Sequence, residues 1–157
     1  MPQLKIRTQI NAPVQRCFDL SRSIDLHQLS TAHTGEKAVA GRTSGLIELG
    51  ETVTWRAKHF GIWQHLTSEI IQLEPNVSFT DKMIKGAFKS IVHHHRFFFN
   101  EGVTTVEDEF NYESPLGVIG RIVNAIVLNR YLSKLLIERN SIIKVYAETD
   151  KWKKIIM

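Results

Sequence analysis

Three consecutive histidines, His93, His94 and His95, stand in an apolar stretch from Phe88 to Asn100, and a second stretch, Val103 to Tyr112, carries Glu107, Asp108 and Glu109. Imidazoles beside carboxylates can hold a metal ion, move a proton, or orient the polar end of a ligand. On a strand, successive side chains point to opposite faces, so His93 and His95 share one face and His94 takes the other. Two imidazoles with Asp108 make a thin ligand set, and the expectation is that no metal and no cofactor is bound.

The two stretches read as a hairpin. A two-residue turn at Glu101-Gly102 pairs Asn100 with Val103 and, counting outward, His95 with Asp108. One face then holds Arg96 opposite Glu107 and His94 opposite Glu109, opposite charges that suit a solvated surface. The other holds Ile91, His93, His95, Phe97 and Phe99 against Tyr112, Phe110, Asp108, Val106 and Thr104, and is expected to be concave and buried. A slip of one residue would turn every aromatic outward.

The preceding strand adds Phe79, Asp81 and Met83 to the same interior. A carboxylate among phenyl rings is costly unless hydrogen-bonded, so Asp108 is expected to hold His95, with Asp81 as a second acidic neighbour. Arg139 interrupts an apolar heptad between Leu135 and Ile142 and is expected to supply a cation to Asp81 or Asp108. Three readings of this cluster stand side by side: a satisfied buried pair, a polar spot that touches a ligand, and a catalytic pair in which Asp108 poises His95 for proton transfer.

Other chemistry finds little support. Cys17, beside Val14 and Phe18, reads as a small hydrophobe, and there is neither a nucleophile elbow nor a phosphate-cradling glycine loop. Trp55 and Trp63 read as core or rim aromatics, and His59 and His65 as residues near the Phe60-Gly61 turn.

The elements that must position the cluster follow from periodicity. Leu4 to Ile10 alternates as a half-buried strand, and Asn11-Ala12-Pro13 starts a short helix through Val14, Cys17, Phe18 and Ser21. A second short helix is expected around Ile24 to Leu29, and a loop from Thr34 to Gly45, where three glycines fall among polar residues. Leu46 to Tyr112 reads as an antiparallel meander, and the chain beyond Ser114-Pro115 as a long helical region to about Glu148. In that region Leu116, Ile119, Val123 and Ile126 share one face, while Leu128, Leu132, Leu135, Ile142 and Tyr146 share another nearly opposite. A break or bend near Asn129, or coverage on two sides, would reconcile them, with a flexible lip at Gly117 and Gly120.

At 157 residues and 43% hydrophobic composition the chain suits one globular domain, taken as 1–150 with a basic tail at 151–157. The single cysteine excludes an internal disulfide, and no run of apolar residues is long enough for a membrane span; cytoplasmic residence is the expectation. The net charge of +4 is scattered, so no nucleic acid partner is expected.

Particular residues now add a resemblance. Ile10-Asn-Ala-Pro-Val14, Gly50 to Gly61, Phe79-Thr-Asp-Lys-Met83 with Gly86-Ala-Phe88, His93-His-His95-Arg-Phe97, Asp108, and Tyr112-Glu-Ser-Pro-Leu-Gly117 carry it. The whole chain resembles the helix-grip superfamily of START lipid-transfer domains, the major birch pollen allergen and the polyketide cyclase/dehydrase-like bacterial proteins. The resemblance implies an α+β fold in which a curved antiparallel sheet of about six to seven strands, with two short helices after the first, wraps around a long C-terminal helix. It also implies a cavity for a lipid, polyketide, sterol or quinone-like molecule, in a carrier or sensor. A cyclase, dehydratase or isomerase acting without metal is the alternative, or an interaction module serving ribosomes or respiratory quinones; a homodimer is left open. Trp55, Phe79, Asp81, His93, His95, Phe97, Phe99, Asp108, Phe110, Tyr112 and Arg139 are the expected ligand contacts, with His95 and Asp108 as the catalytic candidates.

Overall fold

Alternation along the first strand, short turns between the next ones and one long uninterrupted helical stretch build a sheet with a helix laid across it. The computed structural model describes residues 3–114 and 118–156, with side chains of the last long helix from residue 126 onward. The described residues form strands β1 (Gln3–Ile10), β2 (Lys37–Gly41), β3 (Thr52–His59), β4 (Ile62–Glu74), β5 (Ser78–Lys85), β6 (Ser90–Asn100) and β7 (Val103–Glu113). Helices α1 (Val14–Ser21) and α2 (Ile24–Ser30) follow β1, and α3 (Val118–Glu148) and α4 (Lys153–Ile156) end the chain. The strands form one antiparallel sheet in the order β1-β7-β6-β5-β4-β3-β2, so the first strand is zipped to the last. None of the described helices is long and apolar enough to cross a membrane.

Glu101 and Gly102 both take left-handed backbone angles, φ 49° and 81°, as a two-residue hairpin turn requires, and His95 faces Asp108 in the resulting register. Arg96 bonds Glu109 at 2.7 Å on the outer face, while Ile91, His93, His95 and Phe97 are buried on the inner one. Phe99 departs from the expectation: it is 52% exposed. β5 begins at Ser78, opposite Arg96, and Val77 accepts from the Phe97 amide, so no strand flanks Phe99 on that side.

Two other expectations are corrected. The glycine-rich stretch after Thr34 contains β2, an edge strand with a bulge between Ala38 and Ala40 that hides its alternation. It ends at Gly41, where φ is 72° and a Cβ would lie 2.3 Å from the Thr52 carbonyl oxygen, so only glycine fits. Next, α3 runs without interruption through Asn129 and leaves Ile126 exposed at 63%, while Leu128 and Leu132 pack against Met83, Ile91 and Tyr112. Leaving Ile126 and Val127 exposed keeps the backbone hydrogen bonds of the helix, which a break would forfeit. The Gly117 lip and the side chains of Leu116, Ile119 and Val123 lie outside the described residues. Within 151–156, Trp152, Ile155 and Ile156 pack against the core, with the Arg16 guanidinium 4.2 Å over the Trp152 ring.

The deepest stripe of α3 is Leu136, Asn140, Ile143 and Ala147, spaced four, three and four. It lies one residue round from the Leu135–Ile142–Tyr146 face singled out by heptad spacing. Ile143 and Ala147 join Phe18, Leu20, Phe79, Phe97 and Val106 in the main core beneath α1 and α2.

Candidate functional site

Between the sheet and α3 lies a cavity of about 550 Å³, within the range of small-molecule sites. Its walls are largely apolar: Trp55, Leu66, Ile70, Phe79, Ile91 and Phe110 from the strands, and Leu128, Leu132, Leu135 and Leu136 from α3. Phe60, His65, Ala87 and Val127 line it and are exposed, so it reaches the surface between the β3–β4 turn, the β5–β6 connection and the first half of α3. Polar groups gather on the strand wall, where Asp81, His93 and His95 face the cavity together with Arg139 from α3.

Strand geometry assembles that cluster. His93 and His95 are alternate residues of β6, and β5 places Asp81 opposite His93 and Phe79 opposite His95. His95 donates from Nε2 to Asp81 at 2.8 Å, and His93 from Nε2 to Asp108 at 2.8 Å. The imidazoles stack 3.7 Å apart, and Phe79 stacks on His95 at 4.1 Å. Sequence reasoning assigned Asp108 to His95; here Nδ1 of His95 is 3.1 Å from Asp108 but makes no hydrogen bond, because the ring is not aimed along that line. His94 turns outward to Thr80 at 2.9 Å.

Asp108 is fully buried behind the imidazoles. Asn140 donates to it at 2.6 Å, and the Arg139 guanidinium lies 3.8 Å away while donating to the Ser21 carbonyl. Burial alone would raise the Asp108 carboxyl, but the hydrogen bond from His93 and the closeness of both imidazoles hold it well below the usual carboxylate range. For His95, burial would lower the pKa, yet Asp108 and Asp81 together raise it. Burial and the neighbouring imidazole lower that of His93. The arrangement keeps Asp108 ionised and favours a proton on His95 over one on His93.

Among the expected contacts, Trp55, Phe79, Asp81, His93, His95, Phe110 and Arg139 line the cavity. Phe97, Asp108 and Tyr112 are buried in the structure behind it, and Phe99 lies outside. Sequence reasoning missed Asn140, whose one available signal was a lone amide between Leu136, Ile143 and Ala147 at helical spacing. It also missed a second polar group on the cavity wall: His27 donates to Glu36 at 2.6 Å with its ring tilted against Trp55, centroids 4.2 Å apart, and His59 bonds the Tyr131 hydroxyl. Nothing in the sequence links residues so far apart. Cys17 is buried, and its thiol is pushed up by that burial.

A sheet zipped β1 to β7, two short helices after β1 and a last helix across a cavity recur in known structures. A protein from Thermus thermophilus superposes with a TM-score of 0.71 at 16% identity, covering 90% of this chain and 97% of its own. Ginseng major latex-like protein 151 from Panax ginseng gives 0.67 at 18%, covering 94% and 98%. A START superfamily protein from Mycobacterium smegmatis gives 0.64 at 12%, covering 88% and 97%. The chain has the helix-grip fold. At these identities the likeness shows the fold alone. No protein-family model matches the sequence, and no curated protein matches it. In helix-grip terms the polar cluster sits on the gripping sheet, and Arg139 and Asn140 come from the gripped helix.

Proposed function

We propose that the protein binds a hydrophobic small molecule of lipid, polyketide, sterol or quinone type between the sheet and α3, as a carrier or sensor. The carrying observation is the cavity of about 550 Å³, with largely apolar walls and polar groups gathered at a few points. A ligand burying about 300 Å² of apolar surface gains roughly 7 kcal/mol before the cost of ordering it. Asp81, His95 and Arg139 would orient a polar end, since they line the cavity and carry charge. Native mass spectrometry of protein purified from its own host should show a lipid-like adduct that an organic solvent removes. Protein that carries no adduct and binds no apolar dye would overturn the reading.

A second reading has one observation in its favour: the 2.8 Å His95–Asp81 pair lines the cavity, where it could take a proton from an enolisable ligand as in a cyclase, dehydratase or isomerase. A His95→Ala variant that turns over candidate polyketides as fast as the parent protein would remove it.

A further inference from the structure

We propose that Asp81, His93 and His95 form a binding site for one divalent first-row metal ion of the zinc(II) or iron(II) kind. One ligand atom from each of the three lies within 4.8 Å of the other two, on the cavity wall. Two imidazoles and one carboxylate on one face are a donor set that such ions accept while keeping positions open. The proposal stands on these contacts and does not depend on what else the cavity carries.

One distance already suits a shared ion, while the His93 ring must turn out of its stack on His95 to aim a nitrogen at the same point. Ligands held at about 2.0–2.2 Å from a shared ion stand about 3 Å apart, and His95 Nε2 is already 2.8 Å from Asp81 Oδ2. An ion there takes the place of the proton between them. Nε2 of His93 is committed to Asp108, which leaves Nδ1 as its donor to the ion.

Asp108 then acts from behind. A carboxylate that accepts from the far nitrogen of a ligating histidine fixes its tautomer and raises its basicity. Asp108 is anchored for this by Asn140 at 2.6 Å and by Arg139 at 3.8 Å. The same oxygen that accepts from His93 is 3.1 Å from Nδ1 of His95, a buried nitrogen with no hydrogen bond, so both imidazoles have one carboxylate at their backs. Phe79, stacked on His95, limits water on one side, while Asp81, with 24% of its side chain exposed, is the most open of the three. His94, held by Thr80 on the opposite face, is no part of the site.

Full-length protein stripped with a chelator and titrated with Co²⁺ alone should bind one equivalent, read by visible ligand-field bands that Zn²⁺ abolishes. His93→Ala, His95→Ala and Asp81→Asn should each weaken Co²⁺ more than about tenfold, and Asp108→Asn about tenfold or more through the imidazoles it orients. His94→Gln should bind as the parent does. Asp81→Asn, nearly unchanged in shape and partly exposed, keeps the test readable if a histidine variant does not fold. Absence of one-to-one binding, or an equal loss in His94→Gln and Asp81→Asn, would overturn the proposal.

Discussion

Asp108 faces His95 across the β6–β7 register, yet the imidazole that donates to it at 2.8 Å is that of His93, two residues along the same face. One fully buried carboxylate thereby ties two stacked rings on the sheet to Asn140 on α3. Removing a partner from such a network strands the others in a low-dielectric interior.

The first prediction concerns that carboxylate. Asp108→Ala leaves His93 and Asn140 without their shared acceptor and Arg139 without its neighbouring anion, and should cost about 3–5 kcal/mol in urea unfolding. A loss below about 1 kcal/mol would show that water or a neighbour replaces it readily.

The acid limb of stability should depend on Glu36. Burial would raise its carboxyl, but the charge and hydrogen bond of His27, with His59 further off, hold it below the ordinary value of 4.5. The unfolded chain therefore binds this proton more readily than the folded one. The stabilisation is present above pH 4.5 and drains away as pH falls below it. Glu36→Gln should flatten the decline of unfolding free energy in that window; an unchanged slope would refute the assignment.

Leu135 and Phe99 separate a cavity wall from a surface aromatic. Leu135 lines the cavity and Phe99 is half exposed outside it. Leu135→Trp should fill space and weaken an apolar fluorescent dye by about tenfold, the equivalent of about 1.4 kcal/mol. Phe99→Ser should leave dye affinity unchanged. The reverse pattern would relocate the binding site.

Tyr112 donates its hydroxyl to the Asn129 side chain and so pins the first half of α3 to β7. Tyr112→Phe keeps the ring packed on Phe88 and loses only that bond, which should cost about 1 kcal/mol. Amide exchange near Asn129 should quicken more than exchange near Ile143. Uniform quickening would mean that the bond supports the whole molecule rather than this junction.

Local rules carried the sequence reading a long way. A two-residue turn and strict alternation placed His93 and His95 on the inner face, His94 on the outer one, and Asp108 opposite His95, because in a hairpin both pairing and facing are counted from the turn. Alternation in β5 put Asp81 on the same wall for the same reason. Where period alone was available the reading drifted: β2 escaped notice because a bulge breaks its alternation, and the deepest stripe of α3 lies one residue round from the heptad chosen.

Sequence by itself therefore determined the strands other than β2, the hairpin register and which imidazoles face inward, since each depends on neighbours in the chain. Only the tertiary structure decided that Asp108 bonds His93, that Asn140 completes it, that Phe99 lies uncovered and that His27 meets Glu36 beside Trp55. Those facts depend on how one element lies against another at ångström scale, and the packing that sets such distances sums many weak contacts no single spacing encodes.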